Sequence, residues 1–467
     1  MSRKPGAMGY SRLFTAPVLL LAALPARSIE AQQATLERRV HQTVLENGLQ
    51  VIVVENQTVP LATVLVAVRN GAFTQDSAEQ GLAHLYEHIL FRSFHSRPEA
   101  FALEATRLNG RFNGATTQEV VFYFVMVPSK NVEGAIKLMA ELLKSPRFSN
   151  DDLENERLVV LDELHRSESD PEQQLSRQVE RTLWGTSWSR KDVAGDSGSL
   201  AGITVDRLNQ TYGRFYIPNN AALIVTGDVS SDRVFEEAQH RFGDWKRGPD
   251  PFVDRPIPPM APRIMSSAVI LAHDVPDVTI HIAMQGPSVG QDTAATYAGD
   301  ALFEVLNDPS SAFQRVLVDS GLFQSIVGHY LTLSHTGPIE IVGRTTTERA
   351  QDALAALVTE LDNLEALAGI SDEALGIVKK RRQVERALKL EGVAALAPEL
   401  GYWWSSAGLD HYLSYDARMR TESPADLERF VRTYITGRPR VIGVLAPPET
   451  AQRVAEWLRR AGRTTSP

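Results

Sequence analysis

The five residues His84-Leu85-Tyr86-Glu87-His88 carry the strongest chemical signal in this chain of 467 residues. Two imidazoles four positions apart stand on one face of a helix about one turn apart, close enough to share one ion. Glu87 lies within a turn of both and could take a proton from a water whose acidity such an ion raises towards neutrality. The H-E-x-x-H arrangement of many zinc hydrolases does the same from the other side of the turn. A plain polar helix face is the weaker reading, because the full pattern arises by chance in on the order of one in a hundred chains of this length.

Two histidines do not complete a metal site. Glu156 and Glu163 are the best placed further ligands, since a spacing of seven sets both on one face of a helix expected from the N-cap Ser149 to about Arg166. Asp151, Asp152 and Glu154 fill its first turns, where the helix dipole favours carboxylates. Taken alone, two such glutamates are more often a solvated acidic face. The chain contains no cysteine, which excludes disulfides, thiolate ligands and a cysteine nucleophile. A metal must then sit on His, Asp and Glu, and two imidazoles with one carboxylate suit zinc best, with manganese or cobalt as alternatives.

The elements that position these residues are legible along the chain. Val40 to Val54 reads as two short strands around the Asn47-Gly48 turn, followed by a β-rich run Leu61 to Val68 and a Gly71 loop. Ala78 to Phe91 has no proline and no glycine after Gly81, and places its apolar residues at helical intervals. Phe122 to Val127 reads as a strand and Val132 to Leu143 as an amphipathic helix. Gly248 to Pro262 holds six prolines and marks a linker, so the expected division is a domain over 40–248, a linker over 249–262 and a second domain over 263–460.

The two halves resemble each other. Gly71 to Leu90 can be laid over Gly286 to Leu306, pairing Gln75-Asp76 with Gln291-Asp292. Tyr216-Ile217 and the strand Ala222 to Val225 fall similarly on Tyr434-Ile435 and Arg440 to Val444. Asp300, Phe303 and Glu304 then stand where His84, Glu87 and His88 stand, so only the first half can hold the metal. The order of elements argues for an α+β chain produced by duplication.

At this point the residues resemble the inverzincin metallopeptidases typified by pitrilysin, insulin-degrading enzyme and the mitochondrial processing peptidase. Their signature is H-x-x-E-H with a glutamate about 75 positions later, and Glu163 stands 75 positions after His88. The resemblance implies one zinc per chain on His84, His88 and Glu163, Glu87 as the catalytic base, and Glu156 as an acidic neighbour that supports the site. Phe91 and Arg92 match the aromatic and basic residues that follow the family motif. Asn113, Gly114, Thr116 and Tyr123 are similar to the Asn-Ala-x-Thr stretch that runs into a substrate-pairing edge strand, which would make Asn113 and Gly114 substrate-binding; an ordinary turn and strand would read the same. Tyr216-Ile217-Pro218-Asn219-Asn220 and Gly227-Asp228-Val229 extend the likeness. The implied fold has two homologous domains, each a mostly antiparallel sheet with helices packed on it, forming one half of a clamshell that encloses peptide.

One departure bears on activity. Complete family members supply an arginine and a tyrosine from a segment like Leu-Arg-x-x-Gly-Leu-x-Tyr to stabilise the oxyanion. Here the segment is Leu317-Val318-Asp319-Ser320-Gly321-Leu322-Phe323-Gln324, with Val318 and Gln324 at those places. The expectation is a heterodimer with a homologous chain that lacks the histidine motif and carries the arginine and tyrosine. Arg315 or Tyr330 would be the substitutes in a homodimer.

Function is therefore read as zinc-dependent hydrolysis of peptides or unfolded polypeptides. A non-catalytic scaffold is the competing reading, against which the intact motif argues, and a zinc hydrolase of other substrates is a third. A net charge of −9 gives no reason to expect a nucleic-acid partner. Arg3, Lys4 and Arg12 before the apolar run Leu13 to Leu24, with Ala26 and Ala31 as cleavage points, read as a signal peptide over 1–31 and a periplasmic destination. That run contains Pro17 and falls short of the roughly 20 residues of a spanning helix, so no membrane segment is expected after cleavage.

Overall fold

Leu61–Val68 and Ala221–Gly227 are almost entirely buried, residue after residue. Strands of that kind must be covered on both faces, and the source of the second cover determines the architecture. The structure, a computed structural model, describes residues 39–97, 99–364, 370–460 and 464–465. The expected leader over 1–31 lies outside them.

The first half builds a six-stranded mixed sheet from β1 (Val40–Val44), β2 (Gln50–Glu55), β3 (Leu61–Val68), β4 (Arg111–Thr116), β5 (Val121–Pro128) and β6 (Ala221–Gly227) in the order β1-β2-β6-β3-β5-β4. Only β2 and β6 pair in parallel. The second half builds β7 (Ser267–Ala272), β8 (Val278–Gln285), β9 (Ser325–Tyr330), β10 (Pro338–Thr345), β11 (Val441–Ala446) and β12 (Thr464–Thr465) in the order β12-β7-β11-β8-β10-β9. The two orders superpose strand for strand, with β11 in the place of β6 and β9 in the place of β4. The outer strand differs in origin: β1 opens its half, whereas β12 comes from the chain's end and pairs in parallel with β7.

One face of each sheet carries helices of its own half. Helix α1 (Leu82–Arg92) and the helix Val132–Lys144 bury Leu85, Ile89, Ile136 and Leu143 with Val64, Val66 and Tyr123 in one core. The first four residues expected to be helical stay outside α1, because Gly81 at its N-cap takes a left-handed φ of 84°. Helix α2 (Asn150–Ser169) starts where expected, with Ser149 accepting the Asp152 amide at 3.1 Å. It runs past Arg166 and ends where Asp170 caps α3 (Pro171–Trp184), whose first residue is proline.

The opposite faces are covered by exchange. Helix α3 of the first half lays Leu175, Val179 and Leu183 on Val269, Ala283, Val441 and Leu445 of the second sheet. Gly443 lets it approach, since a Cβ there would collide with Val179. Helix α7 (Val393–Ser406) of the second half sets Leu396, Leu400 and Trp404 on Ile52, Leu65, Ala67 and Ile224 of the first sheet. Trp404 donates to Gln50 Oε1 at 2.9 Å and lies under the Arg69 guanidinium at 4.2 Å. Each buried leucine of these seams contributes about 1.5–3 kcal/mol, so each half relies on a helix of the other.

A polar clamp crosses the same seam. Glu119, in the turn between β4 and β5, accepts the Ser334 and His335 backbone amides at 2.7 and 2.9 Å and faces His335 Nδ1 at 2.9 Å. Burial raises its carboxyl and these His335 contacts, with the Lys191 charge, more than offset that, so its pKa falls below the ordinary value.

Candidate metal centre

Helical spacing turns His84 and His88 to the same side of α1, with ring centroids 4.9 Å apart and planes at 89°. Helix α2 packs against α1 and brings Glu163 to them: its Oε2 lies 3.8 Å from His84 Nε2 and 3.7 Å from His88 Nε2. One ligand atom from each of the three residues lies within 4.8 Å of the others. Ligand bonds of roughly 2.0–2.2 Å in a tetrahedral zinc site place neighbouring ligand atoms about 3.3–3.6 Å apart, so this donor set needs only a small contraction to fit. All three side chains stay partly open to solvent, at 21%, 18% and 32% exposure, which leaves access for a fourth ligand.

Glu156 sits seven residues before Glu163 and points at the other nitrogen of His88, with Oε2 3.3 Å from Nδ1. Its second oxygen lies 3.0 Å from Arg92 Nη1. The two glutamates therefore take different places: Glu163 joins the histidines at their Nε2 side, and Glu156 stands behind the His88 imidazole at Nδ1, the place from which a carboxylate orients a ligating ring. Arg92 in turn anchors Glu156, a link that the i, i+4 spacing from His88 could have suggested.

Glu87 is buried on the same helix. Thr116 Oγ1 donates to its Oε2 at 2.9 Å, and a Cβ on Gly114 would stand 2.7 Å from its Oε1. Period two along β4 gives Gly114 and Thr116 to the side facing α1 and leaves Asn113 exposed on the other. Because β4 is the outermost strand of its sheet, its far edge is open for pairing among the described residues. Asn113 and Gly114 are thus at the edge, but only Gly114 abuts the site.

Burial pushes the Glu87 carboxyl up, as does the charge of Glu163, against the His88 charge and the Thr116 hydrogen bond. His84 is driven down to about 4 by burial and by His88. For His88, burial is outweighed by Glu156, Glu87 and Glu163, and its pKa rises. A cation among these groups would meet a neutral His84 and would have to displace the proton that the neighbouring carboxylates favour on His88.

The segment Leu317 to Gln324 contributes no guanidinium or phenol to this arrangement. Val318 packs against the second core, and Gln324 donates to Asp277 at 3.1 Å. Tyr330, the substitute weighed for a homodimer, is buried and donates to Pro287 O at 3.1 Å. Arg315 is exposed.

Residues 50–196 match the family described as insulinase (peptidase family M16), and residues 202–382 match the peptidase M16 inactive domain. An uncharacterized zinc protease of Streptomyces coelicolor is 24% identical over 427 residues, which span 88% of this chain and 91% of that protein. Among solved structures, a protease from Helicobacter pylori superposes with a TM-score of 0.77 at 22% identity, covering 87% of this chain and 99% of its own. The periplasmic protease PqqL from Escherichia coli superposes with a TM-score of 0.74 at 18% identity, over 93% of this chain but 49% of that one. At these identities the superpositions show the fold. Among the described residues no helix is long and apolar enough to cross a membrane.

Proposed function

Because this chain belongs to the insulinase family, peptidase family M16, we propose that it is a zinc-dependent endopeptidase in which His84, His88 and Glu163 hold the metal and Glu87 is the general base. The observation that carries this reading is the convergence of the three ligand atoms within 4.8 Å, beside a buried Glu87 tied to an edge strand. Bound zinc would polarise a scissile carbonyl and acidify water. Glu87 takes the proton from the attacking water and returns it to the leaving amine, a role suited to a carboxyl raised above its ordinary range. Glu156 fixes the His88 ring through Nδ1. An extended peptide pairs with the open edge of β4, where Asn113 reaches its side chains and Gly114 keeps the backbone close to Glu87.

The chain supplies the metal and the base, and the oxyanion groups come from a second, homologous chain that carries the arginine and tyrosine. The valine and glutamine at positions 318 and 324 support this reading, as does the burial of Tyr330. One copy spans about half of the PqqL chain, which supports one copy as half of a clamshell. The domain limits 40–248 and 263–460, joined by 249–262, and export to the periplasm after loss of residues 1–31 belong to the same proposal.

The test is cleavage of a quenched fluorescent peptide by the zinc-loaded mature chain, alone and mixed with an arginine-tyrosine homologue from the same organism, with Glu87→Gln as control. Activity in the mixture alone, abolished by Glu87→Gln, is the expected result. Activity of the isolated chain overturns the partner, and silence in every mixture overturns the peptidase in favour of a scaffold.

A further inference from the structure

At the N-terminal end of α1 a cavity of 310 Å³ opens between the turn that precedes the helix, helix α4 (Val205–Phe215) and the proline-rich connector. Glu79, Arg207, Arg214 and Arg255 are its charged lining residues. Arg207 is neutralised by Glu79. Arg214 meets only neutral groups: Nη2 donates to Pro251 O at 3.0 Å and to Arg255 O at 3.4 Å, and its guanidinium lies 4.5 Å from the centre of the Phe215 ring. Among the described residues neither Arg214 nor Arg255 stands within ion-pairing distance of a carboxylate. Three guanidiniums thus surround one small space with a single carboxylate among them, a surplus of two positive charges. Burial first, and then the charges of Arg255 and Arg207, lower the Arg214 pKa.

The unmatched positive charge of this space favours an anion. Guanidinium groups present paired N–H donors that match the oxygens of phosphate, and a second guanidinium across the cavity closes the grip. The N-terminal end of α1 adds positive potential of its own. The cavity is at the small end of the range for ligand sites, which suits one or two phosphoryl groups. Leu82 and Ala83 form part of its wall, so whatever fills it braces the first turn of the helix that carries His84 and Glu87.

We propose that this cavity is an oxyanion site for a phosphate-class ligand, gripped by Arg214 and Arg255. Arg255 belongs to the connector between the halves, so the bound anion also pins the connector to α4. The site is independent of the peptidase reading and uses none of its residues.

Isothermal titration of the zinc-loaded chain with inorganic pyrophosphate, and separately with inorganic phosphate, at constant ionic strength, tests this. The expected result is saturable binding at one site, at least tenfold weaker in Arg255→Gln and absent in the double variant Arg214→Gln/Arg255→Gln. Arg255 is exposed, so its single variant folds even where the double variant suffers. Absence of saturable heat in the parent chain overturns the proposal, and so do unchanged heats in Arg255→Gln. Heat that disappears when zinc is stripped, and is indifferent to the arginines, assigns the anion to the metal and also overturns it.

Discussion

Thr116 on the edge strand donates a 2.9 Å hydrogen bond to Glu87 Oε2, so the strand proposed to receive substrate also holds the proposed base. A hydrogen bond to a charged group contributes about 1.5–3 kcal/mol. Thr116→Val, which keeps the shape and removes the donor, is expected to lower kcat about tenfold in the active assembly with zinc content unchanged. Steady-state kinetics and thermal unfolding of the variant check this, and an unchanged kcat would separate Thr116 from the base.

Glu156 is proposed to act through His88. Its Oε2 faces His88 Nδ1 at 3.3 Å, and removal of such a carboxylate weakens metal binding about 10–100-fold. Glu156→Gln should therefore lose zinc at a chelator concentration that leaves the parent loaded, while Glu163→Gln, which removes a proposed ligand, should fail to load at all. Competition against a zinc indicator distinguishes the two. Equal losses would mean that Glu156 also ligates.

How far the sequence goes is set by the range of the interactions. His84 and His88 are legible because a helix makes i and i+4 neighbours without help from the rest of the fold. Glu163 is harder, since helix α2 presents Glu156 and Glu163 on one face and only packing against α1 decides which reaches the Nε2 atoms. Period two could have turned Gly114 and Thr116 towards α1, but not told that α1 lies there. The exchange of α3 and α7 between halves was not legible: the apolar stripes of Leu175, Val179 and Leu183 or of Leu396 and Leu400 would serve equally well within their own half. The nearly continuous apolar runs of β3 and β6 carried the hint, because a strand with almost no polar face demands two covers.

The seam itself should respond to alkali through Glu180 on α3. Burial, and then the charges of Glu340 and Asp192, push its carboxyl up to about 8. In the unfolded chain the same group releases its proton near 4.3. Between these values the native state holds a proton that the unfolded state does not, so the contribution of Glu180 to stability falls as pH rises through that window. Glu180→Gln is expected to match the parent at pH 5 and to exceed it at pH 8.5, measured as thermal midpoints in matched buffers. A difference that does not vary with pH would mean that Glu180 is ionised throughout.

The second half keeps the place of the metal centre and fills it differently. Asp300 and Glu304 on α5 (Thr293–Asn307) occupy the positions of the two histidines, and α6 (Asp372–Glu391), in the place of α2, brings Arg381 and Arg382 to them. Arg382 lies 3.4 Å from Glu304 Oε1 and 3.7 Å from Asp300 Oδ2, and Arg381 pairs with Glu304 at 3.1 Å. Burial raises the Asp300 carboxyl to about 6 even with Arg382 beside it. Guanidiniums thus neutralise carboxylates where the first half is proposed to use a divalent ion, in keeping with the proposed single metal per chain. Removing one partner of such a pair leaves the other charge partly buried and unmatched. Arg382→Ala should cost about 2 kcal/mol of stability, less than a fully buried pair because all three groups retain some solvent. Its zinc content should remain one per chain. Denaturant unfolding with elemental analysis checks both, and a second zinc gained by the variant would show that Asp300 and Glu304 can still ligate once the arginine is gone.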